Sequence, residues 1–245
     1  MPIVEHWCAS VSCCDSAWEV AYQRFETPNE EFLKFRKRLI MLGAFAWPRG
    51  SKIVDLFCGR GSGLKALSSL DFQSLSGVDL SESLLKEYDG IADLYVGDCR
   101  ELKFADQSVD IVIIQGGLHH LSMLPNDLEK ALAEVRRILR LDGRFVMVEP
   151  WSTPFLRVVH ALCAWTVARR FWGKLDALAS MIDRERTTYE QWLERPDEIL
   201  NQLRAHFTPE REVFAWGKLN FVGRPKFPGS PAVSISAESR GWRKS

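Results

Sequence analysis

Residues 52 to 63 read Lys-Ile-Val-Asp-Leu-Phe-Cys-Gly-Arg-Gly-Ser-Gly and carry the strongest pattern in the chain. The apolar run 53 to 57 ends at three alternating glycines, and a helical pattern follows. This order indicates a buried strand that turns sharply into a helix, with bare backbone where a ligand comes close. A second strand, 75 to 79, ends at Asp79, whose carboxylate suits a pair of ribose hydroxyls. The stretch therefore predicts a site for a nucleoside-type cofactor.

The spacing of the glycines narrows the choice of cofactor. Dinucleotide sites use G-x-G-x-x-G, which would place a glycine at position 64, where the chain has Leu64. The pattern present is Gly59, Gly61 and Gly63, preceded on the strand by Asp55. A carboxylate at that position repels a diphosphate and suits a ligand that carries an amino group. A nicotinamide oxidoreductase is therefore the weaker alternative.

The glycine stretch resembles motif I of the class I S-adenosylmethionine-dependent methyltransferases, and three more pieces match in order. They are Gly-Val-Asp-Leu (77 to 80), Val-Gly-Asp-Cys-Arg-Glu-Leu (96 to 102), and Ser-Val-Asp-Ile-Val-Ile-Ile (108 to 114) followed by Gln-Gly-Gly-Leu-His-His-Leu (115 to 121). The resemblance covers about residues 50 to 150. A four-part order is far more specific than any one motif.

The resemblance implies S-adenosylmethionine as methyl donor, S-adenosylhomocysteine as product, and a set of contacts. The glycine loop and Asp55 would position the methionine half, Asp79 the ribose and Asp98 the adenine. Gln115 and Gly116 would meet the donor near its sulfur. The cofactor-binding residues implied are Asp55, Gly59, Gly61, Gly63, Asp79, Leu80, Asp98, Cys99, Gln115 and Gly116.

The fold class expected is α/β: a doubly wound, seven-stranded, mostly parallel, Rossmann-like sheet with an antiparallel last strand and a helical cap insertion. The chain divides into an N-terminal flap and helix near the substrate mouth (1–50), a cofactor-binding core (51–150), a helical cap insertion (151–207), a C-terminal hairpin (208–224) and a disordered tail (225–245). The cap is inferred because some fifty residues separate two strands where a bare crossover needs far fewer.

Composition sets limits on partners and compartment. The 245 residues include 32 basic and 32 acidic side chains, so the chain lacks the basic excess typical of nucleic-acid enzymes. No signal-peptide pattern and no apolar run of membrane-span length is visible, which predicts a cytoplasmic protein without stable membrane insertion; surface association stays open. Six cysteines, two of them inside cofactor motifs, do not form a disulfide framework. No common zinc spacing occurs, so no metal is expected.

A hydroxyl or carbon acceptor must lose a proton during methyl transfer. His119 and His120 follow the fourth core strand at the ligand-binding end of the sheet, and imidazole titrates in the useful range. One of the two is the candidate base, with His120 preferred over His119. Glu149, at the end of the fifth strand, and His160, in the cap, are candidate substrate contacts. A packing role is the alternative for each.

Missing motifs favour a small-molecule acceptor. The chain has no Asp/Asn-Pro-Pro-Tyr/Phe tetrapeptide after the fourth strand and no Pro-Cys nucleophile, as nucleic-acid methyltransferases have. The histidine loop resembles those of ubiquinone and menaquinone methyltransferases. The apolar stretch 155 to 172 suggests a bulky, apolar acceptor methylated on oxygen or carbon. A non-catalytic cofactor-binding partner subunit and an RNA or protein methyltransferase remain alternatives, and the oligomeric state is open.

Overall fold

The computed structural model describes residues 4–10 and 16–227, built around one eight-stranded sheet. Its strand order is β1-β4-β3-β2-β5-β6-β8-β7, parallel except where β8 runs antiparallel to β6 and β7. The strands are β1 (Val4–His6), β2 (Ile53–Leu56), β3 (Leu75–Asp79), β4 (Asp93–Val96), β5 (Val109–Gln115), β6 (Leu139–Pro150), β7 (Phe207–Ala215) and β8 (Lys218–Pro225). The predicted tail beyond residue 227, and Cys13 and Cys14, lie outside the described residues.

The helices cover the two faces of the sheet and one end of it. They are α1 (Ser16–Phe25), α2 (Pro28–Met41), α3 (Ser62–Ser68), α4 (Glu82–Leu85), α5 (Asn126–Ile138), α6 (Pro154–Ala164), α7 (Thr166–Phe171), α8 (Gly173–Arg184), α9 (Arg186–Leu193) and α10 (Pro196–His206). Among the described residues, none of these helices is both long enough and apolar enough to cross a bilayer.

The predicted doubly wound, mostly parallel sheet is confirmed, with one correction to the number of strands. The eighth strand is β1, which pairs with the edge strand β4 inside the segment expected to form a flap. Three residues are too few for a period-two pattern to reveal a strand in the sequence. The strand order reverses between β2 and β5, and such a switch point opens a crevice at the carboxyl ends of the strands.

Alternate residues of the central strands pack into two separate cores. Val54 of β2 and Val112 of β5 belong to the core under α5 and α10, whereas Ile53 and Ile113 belong to the core under α2 and α3. Asp55 follows the second alternation and therefore points toward α3. The buried sheet thus holds the ends of β2 and β5 rigidly under the crevice.

The start of α2 follows from the sequence, but its end does not. The sequence pattern Thr27-Pro28-Asn29-Glu30, with the apolar stripe after it, predicts a helix from a capping box to about residue 45. In the structure Thr27 Oγ1 accepts from the Glu30 N–H, and the Glu30 carboxylate accepts from the Thr27 N–H, which completes this capping box. The helix ends at Met41 because Gly43 adopts φ +99°, and a short 3₁₀ turn follows.

Candidate cofactor and acceptor site

A cavity of about 830 Å³ opens at the switch point, between the sheet, α1, α2 and the helices after β6. This volume is near the upper end of the range of about 300–1,000 Å³ typical of small-molecule sites. Nine of the predicted site residues line it: Gly59, Asp79, Leu80, Asp98, Cys99, Gln115, Gly116, His119 and His120. The carboxyl ends of β2, β3, β4 and β5 therefore bring them together.

The glycine loop is shaped by what lies beneath it. A Cβ atom at Gly63 would lie 2.3 Å from Asp55 Oδ2, and one at Gly61 would lie 2.3 Å from the Tyr88 ring. Asp55 is only 4% exposed; burial, followed by the charges of Asp79 and Glu31, raises its pKa to about 8. Asp55 does not line the cavity. It supports the loop from below, and its contact with a ligand amino group stays a prediction.

Asp79 fixes the loops on both sides of the predicted ribose position. Its Oδ2 accepts from the Gly59 N–H (2.8 Å) and its Oδ1 from the Ser81 N–H (2.9 Å). Burial raises the pKa of Asp79, although these N–H groups oppose the rise. Each carboxylate oxygen keeps a further lone pair for a ligand hydroxyl.

Asp98 is held by its neighbour Arg100. The Arg100 Nε and Nη2 atoms donate to both oxygens of Asp98, the shortest at 2.6 Å. Partial burial pushes the pKa of Asp98 up, but the hydrogen bonds from Arg100 outweigh it and the pKa falls. Asp98 is therefore an ionised acceptor at the cavity wall. Its contact with an adenine amino group remains a prediction.

Gln115 ends β5 with its amide oxygen buried and without a hydrogen-bond partner in the described part of the chain. A buried, unpaired carbonyl is costly unless a bound group donates to it. The unpaired Gln115 Oε1 can accept a hydrogen bond, as can the carboxylates of Asp79 and Asp98. These acceptors, beside the bare backbone of the glycine loop, fit a ligand that carries amino and hydroxyl groups. The residues present thus fit S-adenosylmethionine.

Glu149 is fully buried and organises the loop after β5. Its Oε1 accepts from the N–H groups of Gly117 (2.8 Å) and Leu118 (2.9 Å), and its Oε2 lies 2.7 Å from His119 Nδ1. An N–H on Nδ1 that donates to the carboxylate leaves Nε2 as the free acceptor. This pair has the geometry of an oriented general base.

These contacts favour His119 over His120 as the candidate base, the reverse of the preference drawn from the sequence. His119 is tied to Glu149, whereas the pKa of His120 falls well below its ordinary value because it is buried and lies beside His119. Glu149 is shielded from the cavity, so it orients His119 instead of contacting an acceptor. His160 also lies off the cavity and pairs with the Tyr189 hydroxyl at 3.1 Å.

Glu185, between α8 and α9, faces both histidines and was not among the predicted site residues. One of its oxygens lies 4.0 Å from His119 Nε2, and the other lies 3.5 Å from His120 Nδ1 and accepts from Trp18 Nε1. Burial raises the pKa of Glu185. No pattern marks such a residue, because it lies 66 positions after His119 in an insertion whose packing the sequence does not specify.

His119, His120 and Glu185 also form a group that could hold a metal ion, with ligand atoms within 4.8 Å of one another. One oxygen of Glu185 already accepts from Trp18 Nε1, so this carboxylate has a protein donor without an ion.

The fold and this cavity are typical of a class I S-adenosylmethionine-dependent methyltransferase domain. Residues 54–147 match the family model described as "Methyltransferase domain". The demethylmenaquinone methyltransferase of Staphylococcus aureus is 32% identical over 157 residues, which are 60% of each chain. That of Symbiobacterium thermophilum is 29% identical over 126 residues, 45% of this chain and 47% of the relative. The matches span about half the length of these curated relatives.

Solved structures agree on the fold. A Pyrococcus horikoshii protein aligns with a TM-score of 0.62 at 20% identity, covering 86% of this chain and all of that one. The Burkholderia thailandensis 1,6-didemethyltoxoflavin-N1-methyltransferase, solved with S-adenosylhomocysteine, aligns with a TM-score of 0.52 at 18% identity, covering 79% and 78%. The family model confirms the predicted methyltransferase domain over residues 54–147, for which S-adenosylmethionine is the predicted cofactor, and the solved structures confirm the predicted fold.

Proposed function

We propose that the protein transfers a methyl group from S-adenosylmethionine to an oxygen or carbon atom of a small, largely apolar acceptor. The observation that carries the proposal is the His119–Glu149 pair, whose imidazole lines the same cavity as Asp79 and Gly59. Cofactor contacts and a base in one enclosed space are what methylation of a weakly acidic group requires.

The residues divide the work between binding and proton transfer. Asp79, Asp98 and Gln115 would hold the cofactor, which when bound supplies an activated methyl group on a sulfonium. Glu149 fixes the imidazole of His119, and Nε2 takes the proton that the acceptor loses. Glu185, 4.0 Å away, stabilises the resulting imidazolium by charge.

The apolar character of the acceptor is supported by the cap wall. Side chains of α6 and α8 line the cavity opposite the sheet: Phe155, Leu156, Val159, Leu162, Leu175, Leu178, Met181 and Ile182. The relatives named above act on demethylmenaquinone by their names. A quinol of that kind is therefore one acceptor to test.

We expect release of S-adenosylhomocysteine with apolar phenols, quinols or isoprenoid acceptors, and none with bulk RNA or protein. The measurement is transfer of a labelled methyl group from S-adenosylmethionine to each member of an acceptor panel. Activity on polar acceptors alone would remove the apolar assignment. Cofactor binding without transfer to any acceptor would favour a non-catalytic partner subunit.

A further inference from the structure

Two cationic side chains face the cavity without a partner. Arg38 of α2 and Lys218 of β8 both line it. Among residues 4–10 and 16–227, neither side chain makes a hydrogen bond or an ion pair; Arg38 only lies over the Phe35 ring, 5.7 Å from its centroid. Unpaired cations next to apolar walls are costly, so such positions are candidates for binding an anion.

The acidic residues nearby are already engaged. Glu26 pairs with Lys34, and Glu31 accepts from Arg60 and Ser62 at 2.8 and 2.7 Å. Glu149 already accepts hydrogen bonds from the N–H groups of Gly117 and Leu118 and pairs with His119 Nδ1. Burial, and then the charges of Arg38 and Lys34, lower the pKa of Lys218 to about 7. No carboxylate in the described part of the chain therefore pairs with Lys218 to balance its charge.

The sheet order separates Lys218 from the nucleoside end of the cofactor. Lys218 pairs in register with Pro150 at the end of β6, and β8 is four strands from β3, which carries Asp79. At about 4.8 Å per strand, that is about 19 Å. The glycine loop follows β2, three strands or about 14 Å from β8. Lys218 therefore lies in the acceptor half of the cavity.

We propose that Arg38 and Lys218 bind an anionic group, a carboxylate or a phosphate, on the acceptor, whose apolar body packs against α6 and α8. The acceptor class is thus an anionic amphiphile. This inference rests on the proposed methyltransferase function and specifies the substrate class of that site. The guanidinium presents a planar fork and the ammonium a point charge, a combination suited to an anion with several oxygens.

The test is calorimetry on protein saturated with S-adenosylhomocysteine, with dodecanoate, dodecyl phosphate and the neutral dodecanol as probes. Wild type should bind at least one anion about tenfold more tightly than dodecanol, because a charge-assisted contact contributes about 1.5–3 kcal/mol. Arg38→Met and Lys218→Met should each lose that preference while binding dodecanol unchanged. The stronger of the two anionic probes identifies a carboxylate or a phosphate.

Lys37→Met is the matched control, because Lys37 is an exposed cation on the same helix. It should keep the preference for anions. Equal binding of dodecanol and both anions by wild type would overturn the proposal. So would Arg38→Met or Lys218→Met variants that instead lose S-adenosylhomocysteine, since the cations would then serve the cofactor. Failure of wild type to bind S-adenosylhomocysteine would contradict the methyltransferase function itself, a separate outcome.

Discussion

His119→Gln should lower turnover by about 10²- to 10⁴-fold, the usual contribution of a positioned general base. The amide keeps the size of the side chain but cannot take the acceptor's proton at the position of Nε2. Affinity for S-adenosylhomocysteine should be unchanged, because His119 is placed by Glu149 and not by the cofactor-binding loops. The measurement is the rate of methyl transfer at saturating cofactor, with calorimetry for the product.

Controls separate the base from a structural or metal role. His6→Gln changes a half-exposed imidazole far from Glu149 and should be neutral. Glu149→Gln should lower turnover, since it removes the carboxylate that orients His119 through Nδ1. Full activity of His119→Gln would contradict the assignment. Activity of the wild type that is lost on chelation and restored by a divalent ion would instead favour the metal role.

Asp79→Asn should weaken binding of S-adenosylhomocysteine by at least about 100-fold. A carboxylate that accepts charge-assisted hydrogen bonds from two hydroxyls contributes about 1.5–3 kcal/mol for each, and the amide can accept at only one of its two ends. The same change places an NH₂ group opposite the N–H of Gly59 or Ser81. Calorimetry gives the affinity.

The control for this variant is Asp89→Asn, which alters an exposed carboxylate paired with Lys65. It should bind the product as wild type does. The melting temperature and far-UV dichroism of Asp79→Asn establish whether the variant is folded. A folded Asp79→Asn protein with wild-type affinity would contradict the role given to Asp79.

The cofactor half of the site could be predicted because its pattern is local. Strand, glycine turn and helix lie within sixteen consecutive residues; Asp79 ends a short strand, and Asp98 follows the end of another by two residues. Parallel strands bring such ends to one edge of the sheet, so order along the chain becomes proximity in space. Asp55 is the exception. It lies on the predicted strand β2, but its carboxylate packs beneath Gly63 and does not line the cavity.

The acceptor half could be predicted only in part, because its contacts join distant segments. The residues around His119 and His120 do not distinguish the two in the sequence. Glu149, thirty positions later on the neighbouring strand β6, hydrogen-bonds to His119 and not to His120. Glu185 and Lys218 enter from the insertion and the terminal hairpin, where side-chain direction depends on how helices dock. The first strand was missed for the same reason, since Val4–His6 becomes a strand only by pairing with β4.

The most direct test of the account is a calorimetric titration of the purified wild-type chain with S-adenosylhomocysteine. We predict saturable binding of one molecule per chain, displaced by S-adenosylmethionine and undisturbed by NADH. Folded protein that releases or absorbs no heat with either sulfur compound, or that binds NADH in their place, would contradict it.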